Sequence, residues 1–175
     1  MAWSLFELSI STFYKAVVDE KELDRQSNDV YKEVIKNVVV KEGCDLKVKK
    51  LLLKASLHQI PIVRKYNYLL KIAKGYSRNI KNDKSFLEFF GKMRNTVHSN
   101  FIYYGSEYTY RFGDAEFLFK NEEQVVWSDP FQNGKLVPSV QLYLHLIGQL
   151  NEIVNEIFKC ITFDTRIPYP DLNAN

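Results

Sequence analysis

Apolar residues along this chain recur at two different periods, and the change of period divides it. Over roughly the first hundred residues they return every three or four positions, the spacing of helices that lay one face on a core. Leu5, Leu8, Phe13, Ala16 and Val17 predict a first helix over about Ser4 to Lys21. Asn28-Asp29 offers a cap for a second helix running to about Lys41, with Val30, Val34, Ile35 and Val38 inward and Gly43 at its end. Asp45 is placed to cap a short third helix carrying Leu46, Leu51, Leu52 and Ala55. Pro61 suits the first turn of the next, which carries Val63, Tyr66, Leu69, Leu70 and Ala73 and is stopped by Gly75. After a polar loop from Ser77 to Asn82, Asp83 or Ser85 caps a helix whose stripe is Phe86, Phe90, Met93 and Val97.

Beyond Asn100 the period drops to two. Tyr108-Thr109-Tyr110-Arg111-Phe112 alternates, and its aromatic and β-branched residues favour strands. Gly113-Asp114, glycine first, is the order of a two-residue type II′ turn, so a hairpin is predicted from Tyr108 to Phe119, joined by Gln124 to Trp127, within an insertion spanning about 101–127. A loop with Asp129-Pro130, Asn133-Gly134 and Pro138 leads to Ser139, a natural cap. From there to about Cys160 runs a long helix. Val140, Leu144, Ile147, Leu150, Val154, Ile157 and Ile161 form one seam, and Leu142, Leu146 and Ile153 make a second face apolar as well. Such a helix is covered on two sides, either by its own core or by a second copy of the chain. The remaining 162–175, with Pro168 and Pro170, read as an extended tail. The predicted architecture is mainly α: one domain over 1–161, a bundle of about five helices with a small β-hairpin inserted before the last long one.

Composition narrows the class only a little. Charged residues are 26% and hydrophobic ones 46% of the 175, a globular balance, and 24 Lys and Arg against 21 Asp and Glu permit a polyanionic partner without requiring one. Two distant cysteines, Cys44 and Cys160, give neither a disulfide framework nor metal-ligand spacing, so a reducing, cytoplasmic setting is expected. No apolar run is long enough for a membrane span, and no secretion signal is recognised at Met1-Ala2-Trp3. The chain has no glycine-rich phosphate loop, nucleophile elbow or metal-spaced histidine pair, so no cofactor or metal is expected. His58 and His145 stand alone, the latter expected to be packed or interfacial.

One stretch gathers catalytic residue types: Arg94-Asn95-Thr96-Val97-His98-Ser99-Asn100. Arg94 and His98 lie off the apolar stripe. Four residues apart is about 40° of helix rotation, so guanidinium and imidazole project from one face, with Gly91 leaving space beside Arg94. A permanent cation thereby stands next to the side chain that ordinarily titrates near neutrality, and Asn95 adds an amide able to bond either neighbour or a ligand. The same residues can instead cap a helix end, where basic side chains meet the last carbonyls.

Set late in a helix of a helical bundle with a long helix after it, Arg94-Asn95-Thr96-Val97-His98 resembles the HEPN superfamily, the nucleotide-binding domains of higher eukaryotes and prokaryotes. Its signature is an arginine, often a polar residue next, then a histidine after four to six intervening residues; here three intervene. The resemblance is to the uncharacterised bacterial HEPN-like branch. It implies a cytoplasmic homodimer that binds single-stranded RNA or nucleotide and cleaves RNA without metal, as in toxins and defence systems. On that reading His98 handles the proton of a ribose 2′-hydroxyl or of the leaving oxygen, Arg94 stabilises phosphoryl charge and Asn95 orients them. Asn100, Tyr103 and Tyr104 are the expected binding residues. Hairpin tyrosines can stack unpaired bases, or merely close a sheet over a core. The other functional expectation is a catalytically silent HEPN-like interaction module, a partner or neutralising subunit.

Overall fold

The structure, a computed structural model, describes residues 2–42, 60–128 and 140–161. Among these are five helices and three strands, in the order α1 (Ala2–Val17), α2 (Glu20–Glu42), α3 (Ile62–Ile72), α4 (Ile80–Val97), β1 (Tyr108–Phe112), β2 (Ala115–Phe119), β3 (Val126–Ser128) and α5 (Val140–Cys160). The protein is mainly helical, with a small antiparallel sheet entered from α4 and left before α5. The short helix expected after Asp45, the loop at 129–139 with its Ser139 cap, His58, Cys44 and the tail at 162–175 fall outside the described residues.

The described residues fall into two compact units, 7–42 with 60–72 and 2–6 with 73–128 and 140–161. In the former, α2 begins far earlier than Asn28-Asp29 suggested. Asp19 is its cap: the Asp19 carboxylate accepts from the Glu22 N–H at 2.8 Å. The segment 20–29 has few apolar residues and is carried instead by charge pairs along the helix. Arg25 grips Glu22 through two nitrogens at 2.7 and 2.6 Å and reaches Asp29 at 3.2 Å. With Gln26 also donating, these bonds hold the Glu22 carboxyl down to about 2. On α1 the buried face is Ile10, Phe13 and Tyr14, while Leu8, expected inward, is exposed. Tyr14 meets Tyr68 of α3 edge-on at 5.5 Å, and Lys65 donates to Ser11 at 2.9 Å. Pro61 sits just before α3, its carbonyl accepting from the Arg64 N–H, and Val63 is exposed although Tyr66, Leu69 and Leu70 are buried as the spacing predicts.

The second unit is built on α4. Its cap is Asn79, whose side chain accepts from the Asn82 N–H at 3.1 Å, and not Asp83 or Ser85. Phe86, Leu87, Phe89 and Phe90 are buried. The hairpin forms where the alternation put it, with Tyr108 opposite Phe119 and Phe112 opposite Ala115. Gly113 takes φ +57°, as the first residue of its turn requires, and Asp114 keeps an ordinary φ. Val126–Ser128 adds a third strand, pairing Trp127 with Phe117, so the insertion is a three-stranded sheet. Ala115, Phe117 and Phe119 of β2 all face inward. Phe89, fully buried, is the centre of this packing: it stacks on Tyr110 at 4.2 Å and meets Phe117 at 4.7 Å.

On α5 the buried face is Leu142, Leu146, Leu150, Ile153 and Ile157. It joins Leu142, Leu146 and Ile153 of the face expected to be secondary to Leu150 and Ile157 of the expected seam. Val140 and Leu144, from the seam expected inward, are 75% and 59% exposed. Both faces are apolar in sequence, and packing decides which is covered.

Candidate functional site

The last turn of α4 sets the geometry. Thr96 is buried, and its hydroxyl donates to the Met93 carbonyl at 2.7 Å. The Thr96 carbonyl in turn accepts from the N–H groups of Ser99 at 2.9 Å and Phe101 at 2.7 Å, which satisfies a helix-end acceptor and reverses the chain. The reversal passes through two left-handed residues, Asn100 at φ 52° and Phe101 at φ 64°. Glycine is the usual occupant of such a position; asparagine tolerates it, and a phenylalanine there is strained. Strain of this kind persists where surrounding structure imposes it, and here the Phe101 backbone is held on both sides, its carbonyl accepting from Val125 at 2.9 Å.

Beside this turn lies a cavity of about 560 Å³. Arg94 and His98 both line it, as their spacing on one helix face requires. Arg94 is half-buried, and its guanidinium donates to the neighbouring Asn95 carboxamide oxygen at 3.2 Å. His98 is the C-cap, the residue just after Val97, at φ −75° and ψ −12°, and is exposed. Trp3, Phe90 and Leu146 form the buried wall; Val97 and Tyr143, at 54% and 45% exposure, stand at the open side. Val97, expected in the core, faces this opening.

The space expected beside Arg94 at Gly91 is filled. The Trp3 indole stacks on Phe90 at 5.7 Å and passes so close to Gly91 that an added Cβ would lie 3.3 Å from it. An alanine there would oblige the indole to give way by a few tenths of an ångström.

Of the other expected binding residues, none lines the cavity. Asn100 is exposed, and its carbonyl accepts from the Gln124 amide at 3.4 Å. Tyr103 is buried, edge-on to Phe119 at 5.2 Å, with its backbone bonded to Glu122 and Glu123. Tyr104 is 66% exposed. The half-buried Tyr108 and Tyr110 pack inward, so these rings close the sheet over α4. Conversely, Trp3, Phe101 and Tyr143 carried no signal in the sequence as site residues, because each reaches the cavity from a different element.

A second polar cluster, unforeseen in the sequence, gathers at the other end of α4. Asp83 is buried and accepts from the Tyr76 hydroxyl at 2.7 Å and from Arg78 at 3.0 and 3.1 Å. Arg78 also bonds Glu152 of α5 at 2.7 Å, while the Ser77 hydroxyl and N–H donate to Glu156 at 2.5 and 3.0 Å. Burial, and then the Asp83 carboxylate, push the Tyr76 hydroxyl well above the usual tyrosine range. Every charge there has a protein partner, so the cluster fastens the loop before α4 to α5. His145 is exposed on α5. Among the described residues no three His, Cys, Asp or Glu side chains converge as metal ligands, and no helix is long and apolar enough to cross a membrane. No protein-family model, curated protein or solved structure matches this chain.

Proposed function

We propose that this chain is a HEPN-like RNA-binding protein that cleaves single-stranded RNA at the Arg94–His98 cavity, without a metal and as a homodimer. The observation that carries the reading is that the permanent cation and the imidazole of the Arg94-to-His98 motif line one cavity of about 560 Å³. His98 takes the proton of a ribose 2′-hydroxyl, whose oxygen attacks the adjacent phosphorus. The bond from phosphorus to the 5′-oxygen breaks, and that oxygen leaves with a proton from water or from the same histidine of a second copy. Products end in a 2′,3′-cyclic phosphate and a 5′-hydroxyl. Arg94 offers its donor fork to the charge gathering on the non-bridging oxygens, and the Asn95 carboxamide at 3.2 Å restrains that fork. The exposed Val140, Tyr143 and Leu144 favour a second copy on α5.

Labelled single-stranded RNA is incubated with wild type, Arg94→Ala and His98→Ala in excess EDTA. Each substitution should lower cleavage by about a hundredfold or more while the variants stay folded. An inactive wild type, or equal cleavage by all three, sinks the nuclease. The silent interaction module has an observation of its own: Arg94 occupies the last turn and His98 the C-cap position of α4, where basic side chains suit the negative end of the helix dipole. On that reading both substitutions lower stability by about 0.5–1 kcal/mol and change nothing else.

A further inference from the structure

We infer that Ser11 and Lys65 form a nucleophile–base pair, a second reactive site that takes the acyl group of a small ester. Both residues belong to the unit of 7–42 with 60–72, and the inference does not rest on the RNA reading of the Arg94–His98 cavity.

A serine hydroxyl is a weak nucleophile until a base within hydrogen-bond reach can take its proton, and a lysine amine serves as that base where its surroundings disfavour the ammonium. Both conditions are met between α1 and α3. The Lys65 ammonium donates to the Ser11 hydroxyl at 2.9 Å, and across that distance the proton passes the other way once the amine is neutral. Lys65 lies one turn before the fully buried Leu69, and Ser11 follows the fully buried Ile10, so the pair sits at the edge of apolar packing. Both side chains are half-buried, which desolvates them while leaving room for a short acyl group. Glu7, Ser11 and Lys15 follow one another at four-residue steps along α1 and share one row, so a second, exposed cation stands one turn beyond the serine. Burial, and then Lys15, push the Lys65 amine below its ordinary 10.5, with Glu7 pulling the other way. Ser11 is a neutral partner, and it supports the ammonium less than a carboxylate at that distance would. In the reaction the neutral Lys65 amine accepts the Ser11 proton as the Ser11 oxygen bonds to the carbonyl carbon of the ester. The carbonyl π pair moves onto its oxygen, and the Lys15 ammonium offsets that charge. The tetrahedral species collapses, the bond from carbon to the leaving oxygen breaks, and that oxygen takes the proton from Lys65. Ser11 is left as an ester and Lys65 as a neutral amine.

The full chain is incubated with p-nitrophenyl acetate at about pH 8.5, where a lowered lysine is partly neutral, and acetylated peptides are mapped by mass spectrometry at timed intervals. The quantity read is the rate at which Ser11 gains acetyl, which separates this site from slow background reaction at exposed lysines. Wild type should carry acetyl on Ser11. Lys65→Met should slow that acetylation by at least about a hundredfold. Lys65→Arg keeps a cation and a hydrogen-bond donor but accepts no proton, so it should be as slow as Lys65→Met. A purely structural bond from α3 to α1 would instead be restored by the arginine. Lys15→Gln, at an exposed position, should slow acetylation about fivefold and leave the acetyl on Ser11. Circular dichroism checks that each variant is folded, and Lys65→Arg carries the test if Lys65→Met is not. No acetyl on Ser11 in wild type, or Lys65→Arg reacting at the wild-type rate, overturns the inference.

Discussion

At its first turns α4 buries Asp83, whose carboxylate collects Tyr76 and two nitrogens of Arg78, while at its last turn it carries Arg94 and His98 to the wall of a cavity, the one half-buried and the other exposed. Both ends place an arginine near polar neighbours, and the sequence alone drew attention to only one of them. The difference is in the surroundings. Arg78 meets Asp83 and Glu152, and removing Arg78 leaves the Asp83 carboxylate, only 3% exposed, without its cation. Arg94, half-buried, lines the cavity. One end is a buried charge cluster and the other lines a cavity.

Breaking the closed end should have the largest effect. Asp83→Asn leaves the Arg78 guanidinium short of its buried partner and should lower unfolding free energy by about 3 kcal/mol in urea titrations, whereas Arg94→Ala should lower it by less than about 1 kcal/mol. Equal losses would erase the distinction between the two ends. Tyr76→Phe removes a hydrogen bond to a buried carboxylate and should cost about 2 kcal/mol. Because the folded state holds this hydroxyl above its ordinary value of 10.0, its contribution is complete below that pH and is lost as pH rises past it. Wild type should therefore lose stability more steeply than Tyr76→Phe on the alkaline side.

Smaller changes sharpen the contrast. Asn100→Gly relieves a left-handed residue at the open end and should raise stability by about 0.5 kcal/mol without moving the Thr96 turn. A loss instead would show that the Asn100 side chain does something there beyond tolerating its φ. Glu156 is held below its ordinary 4.5 first by the Ser77 hydroxyl and then by the Ser77 N–H. A carboxyl lowered in the folded state contributes above 4.5 and loses that contribution as pH falls, so Glu156→Gln should flatten stability between about pH 5 and pH 3. An unchanged acid limb would remove Ser77–Glu156 from the fastening.

Features written in neighbouring residues were legible without coordinates. Gly113-Asp114 between alternating runs contains its own turn geometry, so the hairpin and its register followed. The Arg94–His98 spacing put both on one helix face, because four residues make nearly one turn. Caps were less legible: Asn28-Asp29 and Asp83 are the right residue types for a cap, but Asp19 and Asn79 do the work, since any short polar side chain fits and only the helix start selects among them.

What tertiary structure decided is which surfaces meet. On α5 two apolar faces compete, and the one bearing Leu142, Leu146 and Ile153 is buried while Val140 and Leu144 stay exposed. Helical period shows that faces exist, and only the neighbour shows which is covered. The buried bond from Tyr76 to Asp83 and the reach of Arg78 to Glu152 depend on loop and helix ends brought together. So does the cavity, whose wall joins Trp3 of the first helix to Gly91 of the fourth. The chain by itself determined its helices, its turn and the pairing of a cation with an imidazole, because those depend on spacing within a few residues. The volume beside that pair arises from contacts between segments far apart in the chain, which local spacing does not encode.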